Sequence, residues 1–115
     1  MSYTQKFQAL ADAARGRVEG VGPEQVDALM ESGTVLLDIR DREEHEGGHI
    51  AGSANLSRGK LEMNIESLVP DLDTPILCYC NVNNRGALSA DSLRALGCTN
   101  ARYIVGGLKA SNALR

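Results

Sequence analysis

The chain has 115 residues, 43% hydrophobic and 23% charged, a length that fits one compact domain and leaves no room for two independent cores. Twelve Lys and Arg against fifteen Asp and Glu give a net charge of -3, with both signs scattered along the chain, which argues against the clustered basic surface that nucleic-acid binding needs. No apolar run is long enough to span a bilayer and no N-terminal stretch reads as an export signal, so the expectation is a soluble, unexported, cytoplasmic protein.

Folding a chain of this length buries about two-thirds of its surface, a core that needs neither a disulfide nor a metal staple. Cys78, Cys80 and Cys98 are an odd number, and Cys78 and Cys80 lie too close along one strand to bridge. A reduced compartment fits them better than a disulfide framework.

Residues 4–15 place Phe7, Leu10, Ala11 and Ala14 at helical spacing, which predicts an amphipathic helix ending near Gly16. Residues 1–16 are therefore expected as a helical extension that packs on a single domain spanning 17–115. After a short apolar stretch at Val18 and Val21, Pro23 opens a second helix with Val26, Leu29 and Met30 on one face and Gly33 as its stop. Thr34 to Ile39 is an apolar run rich in β-branched residues, closed by Asp38 and Arg40, of the kind buried on both faces of a parallel sheet. The polar segment 41–48 leads through Ile50 and a turn at Gly52 to a short strand near Ala54 to Leu56. Leu61, Ile65, Leu68 and Val69 predict a helix that Pro70 stops. Pro75 starts a further buried strand, Ile76 to Tyr79, which reaches Cys80.

Asn81 to Asn84 read as a polar loop. Ala87 to Leu96 read as a helix with Leu88, Leu93 and Leu96 inward and Gly97 as its stop. Ala101 to Val105 is the last strand, followed by Gly106-Gly107 and a helix starting at Leu108. Strands alternating with helices at this spacing predict an α/β domain with a mostly parallel sheet.

Ligands bind open parallel sheets beyond the carboxyl ends of the strands. Asp38 and Arg40, Arg58, and above all Cys80 with Arg85 stand at such ends. A cysteine at a strand end, followed by residues that turn into a helix, faces several backbone N–H groups and the positive end of the helix dipole. Such surroundings favour a thiolate and bind an anion. Asparagines and a cation surround Cys80, whereas Cys78 sits inside an apolar strand and Cys98 follows a helix stop, so structural filler is the reading for those two. Asn83 and Asn84 are expected to support a curled loop, because asparagine visits the left-handed conformation readily. The spelling His45-Glu46-Gly47-Gly48-His49 matches a zinc-protease pattern, but that chemistry needs both histidines on one helical face. Two consecutive glycines in the helix would cost roughly 2 kcal/mol, so the match reads as accidental and no metal site is assigned.

From about Val18 to Gly107 the chain resembles the single-domain rhodaneses. Leu37-Asp38-Ile39-Arg40, then Glu43-Glu44, then Gly48-His49-Ile50-Ala51-Gly52-Ser53-Ala54-Asn55 is similar to the first family signature, with His45 at its usual aromatic position. Cys80 to Arg85 resembles the active-site loop, and Leu96-Gly97 with Gly106-Gly107 resembles the segments that follow it. The resemblance implies a rhodanese-like α/β domain with a five-stranded, mostly parallel sheet and helices on both faces. It implies a sulfurtransferase in which Cys80 takes sulfane sulfur from thiosulfate or a persulfide donor, holds it as a persulfide, and passes it to a thiophilic acceptor such as cyanide, a thiol or a sulfur-carrier protein.

By the same resemblance Asn81, Val82, Asn83, Asn84 and Gly86 cradle the substrate, Arg85 binds the anionic donor, and neither a metal nor an organic cofactor takes part. Asp38, Arg40 and His49 fall at positions that brace the domain. Members acting on phosphate or arsenate have five residues between cysteine and arginine, and here there are four, which favours sulfur. This loop carries one formal positive charge. Arg58 and Lys60 are the candidates for a second, with a solvated surface as the other reading of each; Arg58 is counted with the substrate-binding residues. Ser111 stands where the family's usual tryptophan would be, so a short C-terminal helix is expected. The alternative function is a catalytically weak rhodanese module that recognises a partner protein or relays sulfur.

Overall fold

Thr4 opens the first helix by accepting the Phe7 N–H at 3.4 Å, and α1 runs over Gln5–Arg17. The computed structural model describes residues 3–114; residues 1, 2 and 115, at the ends of the two expected segments, lie outside them. Gly16 does not stop α1, because it stays out of the left-handed region and the Val18 N–H still reaches the Ala14 carbonyl at 3.2 Å. Ala11 and Ala14 are fully buried and pack with Phe7 against Leu88, whereas Leu10, expected on the same face, is 55% exposed.

The remaining elements follow in the expected order. A two-residue strand β1 (Gly20–Val21) leads into a 3₁₀ turn at Pro23–Gln25 and α2 (Val26–Glu31). Then come β2 (Val35–Asp38), α3 (Arg42–Glu46), β3 (Ala54–Asn55), a second 3₁₀ turn at Arg58–Lys60 and α4 (Leu61–Leu68). The chain closes with β4 (Ile76–Tyr79), α5 (Asn84–Leu96), β5 (Ala101–Ile104) and α6 (Gly107–Ala113). All pairings are parallel, in the order β1-β5-β4-β2-β3, so β4 is the central strand.

Side chains alternate across each strand, and the two faces bury separate sets. Ile76, Cys78 and Cys80 point to the side covered by Leu61 and Ile65 of α4 and Leu93 of α5. Leu77 and Tyr79 point to the other side, with Val26 of α2 and partly buried Leu108 of α6. Leu96, expected to face inward on α5, is 40% exposed, while Leu93 is fully buried and Gly97 takes the left-handed stop with φ +118°.

Gly47 follows the last residue of α3, so His45 lies in the helix and His49 beyond it. The two imidazoles do not share a helical face as the zinc pattern requires. Their rings stack with centroids 3.7 Å apart, His45 Nδ1 on Asp38 and His49 Nδ1 on the His45 carbonyl.

β2 ends in a buried charge. Asp38 is fully buried, and its Oδ2 receives Arg40 Nη2 at 2.8 Å and meets His45 Nδ1 at 2.9 Å, while Oδ1 accepts Arg40 Nε and the Arg40 backbone N–H, each at 3.0 Å. Burial pushes the carboxyl up, but the bonds from Arg40 and His45 outweigh it and hold the group below its ordinary range. Removing one member of a buried ion pair strands the other in low dielectric. Asp38→Asn keeps the shape and removes the charge, and it is expected to lower unfolding stability by about 3 kcal/mol in urea titrations. A loss under about 1 kcal/mol would show that the pair does not brace the domain.

Candidate active site

Every strand of the sheet points the same way, so the carboxyl ends of β2 and β4 open on one edge, and Cys80 is the first residue past β4. It keeps the alternation of its strand, is 3% exposed, and its side chain lines a cleft of about 590 Å³. Cys78 and Cys98 are also buried and are not part of that lining. Burial pushes both of their thiols up.

Three carbonyls from Cys80 to Asn83 are occupied by helix amides, two of them by α6. Leu108 N–H donates to the Cys80 carbonyl at 2.9 Å, Lys109 N–H to that of Asn81 at 3.1 Å, and Ala87 N–H to that of Asn83 at 2.9 Å. The amides behave oppositely. Among the described residues, the N–H groups of Asn81, Val82, Asn83, Asn84 and Arg85 have no protein acceptor, and Gly86 N–H donates to Cys80 Sγ at 3.3 Å. Successive unclaimed amides at a helix start form an anion-binding concavity.

α5 begins at Asn84, three residues before the expected Ala87, so Asn84, Arg85 and Gly86 form its first turn. No non-glycine residue among those described has a positive φ, and Asn83 sits at φ -127°, which corrects the expectation of left-handed asparagines. The loop is held instead by side-chain bonds. Asn83 Oδ1 accepts the Gly106 N–H at 2.8 Å, and Asn84 exchanges two bonds with Gln8 of α1 at 3.1 and 3.2 Å. Asn81 Oδ1 accepts Arg40 Nη1 at 3.1 Å and its Nδ2 donates to Glu44 Oε2 at 3.2 Å. Arg40 thereby joins the end of β2 to the loop and also donates to the Gly48 carbonyl at 2.7 Å. Val82 contributes its backbone, with its side chain 45% exposed at the rim.

Arg85 lines the cleft, but its fork is already engaged: Nη1 reaches Glu44 Oε1 at 2.8 Å and Nη2 reaches Oε2 at 3.0 Å. Those bonds hold the Glu44 carboxyl down at about 2. Arg58 does not join the group. Its backbone N–H donates to Ile39, its Nη1 is buried without a partner among the described residues, and neither it nor Lys60 lines the cleft. The cations that do line it besides Arg85 are Arg15 of α1 and Lys109 of α6. Sequence reasoning missed both as site residues, together with Phe7 and Tyr3, which also line the cleft. An amphipathic pattern reveals that α1 buries a face, not that this face lies beside the Cys80 loop.

The Glu44–Arg85 pair has a defined acid signature. A carboxyl held at about 2 against an ordinary 4.5 contributes stability that is complete above pH 4.5 and is lost as pH falls through about 2. The stability difference between the wild type and Glu44→Gln is therefore expected to be constant from neutral pH to about 5 and to shrink below that. A difference independent of pH over this range would contradict the pairing.

Comparison with known proteins bears on the family. The family model of the rhodanese-like domain matches residues 22–113. The thiosulfate sulfurtransferase GlpE of Pseudomonas entomophila is 35% identical over 89 residues, 77% of this chain and 80% of that protein. YqhL of Bacillus subtilis, an uncharacterized protein, is 35% identical over 74 residues, which are 64% of this chain and 57% of YqhL. Among solved structures, a Rhodopseudomonas palustris protein of unknown function, described as a possible tyrosine phosphatase, is 30% identical with a TM-score of 0.86, covering 99% of this chain and 94% of its own. The human single-domain sulfurtransferase TSTD1 is 27% identical with a TM-score of 0.73, covering 84% and 96%. With the family model matched over most of the chain, this chain belongs to the rhodanese-like domain family.

Proposed function

We propose that the chain is a rhodanese-type sulfurtransferase that carries sulfane sulfur as a persulfide on Cys80. One observation carries this reading: Cys80 stands at the start of a run of backbone amides that no protein acceptor claims among the described residues, with the Gly86 N–H already on its sulfur. The name of the Pseudomonas relatives, thiosulfate sulfurtransferase, supports the same chemistry.

The Cys80 thiolate attacks the outer sulfur of thiosulfate, the S–S bond breaks, and sulfite leaves with the electron pair. The new persulfide carries its negative charge on the terminal sulfur, where the loop amides stabilise it. An acceptor such as cyanide then attacks that sulfur and the Cys80 thiolate departs. Exchange between sulfur nucleophiles of this kind needs no metal or organic cofactor. Three free cysteines suit a reducing, cytoplasmic compartment, where the Cys80 thiol persists. Among the described residues no helix is long and apolar enough to cross a membrane. Arg85 acts on an anionic donor by sharing its guanidinium with Glu44, so its first role is to hold the loop and its second is to receive charge.

Phosphate chemistry is the second reading, favoured by the description of the Rhodopseudomonas palustris neighbour. Four residues between Cys80 and Arg85 make a tighter cradle than the five that the resemblance associates with phosphate or arsenate.

Thiosulfate:cyanide transfer should fall to background in Cys80→Ser and persist in Cys78→Ala and Cys98→Ala. Transfer surviving in Cys80→Ser would sink the assignment, and hydrolysis of an aryl phosphate that depends on Cys80 would favour the phosphatase reading. Gly107 offers a separate handle. It sits at φ +56°, and a Cβ there would collide with the Cys80 and Val82 carbonyls. Gly107→Ala displaces the loop and is expected to cost up to about a hundredfold in kcat/KM. An unchanged kcat/KM would show that loop position does not control the chemistry.

A further inference from the structure

The cleft is far larger than thiosulfate and falls in the size range of small-molecule pockets, about 300–1,000 Å³. Its walls are built unequally. Cys80 and its loop contribute polar groups and backbone, while Tyr3 and Phe7, whose rings sit 5.3 Å apart, contribute aromatic surface. Arg15 and Lys109 complete the lining, and among the described residues no carboxylate belongs to it, although the chain as a whole has a net charge of -3. Arg85 is occupied by Glu44, so of the three cations that line the cleft, Arg15 and Lys109 are the two without a carboxylate partner among the described residues. Arg15 is held in place, since its Nε donates to the Tyr103 hydroxyl at 3.2 Å and leaves the terminal nitrogens of the guanidinium for a ligand. Lys109 is fixed through its backbone on the Asn81 carbonyl at 3.1 Å. Tyr3, Phe7 and Arg15 precede residue 22, where the family match begins, so membership of the family assigns them no role.

We infer that Tyr3, Phe7 and Arg15 of the N-terminal segment, with Lys109 of α6, determine the acceptor: the cleft takes an anionic low-molecular-weight thiol that carries an apolar or aromatic portion. Its carboxylate meets Arg15 and Lys109, its apolar part lies against Phe7 and Tyr3, and its sulfur reaches the Cys80 persulfide. This rests on the sulfurtransferase reading. The acceptor thiolate attacks the terminal sulfur of Cys80–S–S⁻, a new S–S bond forms, the old one breaks, and Cys80 leaves as the thiolate while the acceptor departs as its persulfide. Charge and sulfur balance without a further reactant. A concave cleft walled by a helix favours a small molecule over a protein thiol.

The test uses full-length protein loaded with thiosulfate and freed of excess donor. Loss of the bound sulfur is followed by intact mass on mixing with mercaptoethanol, mercaptopropionate or mercaptomethylbenzoate. The wild type should discharge to mercaptomethylbenzoate about tenfold faster than to mercaptoethanol, with mercaptopropionate between. Phe7→Leu, which keeps an apolar side chain on α1, should lower the advantage of the benzoate over the propionate about threefold. Arg15→Gln combined with Lys109→Gln should lower the advantage of both anions over mercaptoethanol by a similar factor, and more at low salt. Equal discharge to all three thiols by the wild type, ratios unmoved in the variants, or discharge only to a protein thiol such as reduced thioredoxin would each overturn the inference. A wild type that never loads would remove the sulfurtransferase reading itself, whereas loading followed by indiscriminate discharge removes the inference alone.

Discussion

The carbonyls of Cys80 and Asn81 are taken up by the first turn of α6, and the chemistry of the site depends on that. A loop at a strand end has as many acceptors as donors, and it can turn its amides to a ligand only if its carbonyls find other partners. Leu108 and Lys109 supply those partners, and they reach the loop because Gly106 and Gly107 both take left-handed conformations, with φ of +81° and +56°. The close approach at Gly107 admits no side chain. The two glycines therefore shape a site more than twenty residues upstream. Asn83 returns the contact by accepting the Gly106 N–H, so loop and helix start hold each other.

A second brace comes from the end of β2. Asp38, fully buried, orients Arg40, and Arg40 reaches across to Asn81 and Gly48. Glu44 on α3 then holds both Arg85 and Asn81. Charge in this network is spent on position. It leaves the backbone amides as the main electrostatic feature facing Cys80, and it leaves open cations only where α1 and α6 meet the cleft. Acidic composition overall and a carboxylate-free cleft are compatible for that reason.

The strands were legible because β2 and β4 are buried on both faces and read as apolar runs, Val35 to Leu37 before Asp38 and Ile76 to Tyr79. Helix α5 was legible through Leu88, Leu93 and Gly97, but not its first turn, since Asn84, Arg85 and Gly86 look like loop. Leu10 and Leu96 carried the right spacing and sit at the edge of their buried faces, where a hydrophobic pattern does not separate contact from exposure. Cys80 was legible as the candidate nucleophile from its position at a strand end among polar residues. Arg58 was not resolved by the same logic: it follows a strand end too, yet it does not line the cleft. Nor could the pairing of Glu44 with Arg85 be read, because the two are separated by most of two βα units and only the sheet order brings them together.

The central claim is that Cys80 alone holds transferable sulfur. Its most direct test is the intact mass of the wild-type protein after incubation with thiosulfate and removal of the excess, followed by peptide mapping under non-reducing conditions. The account predicts the addition of one sulfur atom, located to Cys80 rather than Cys78 by fragmentation of the peptide that holds both, and released by cyanide. An unchanged mass, or a sulfur found on Cys78 or Cys98, would contradict it.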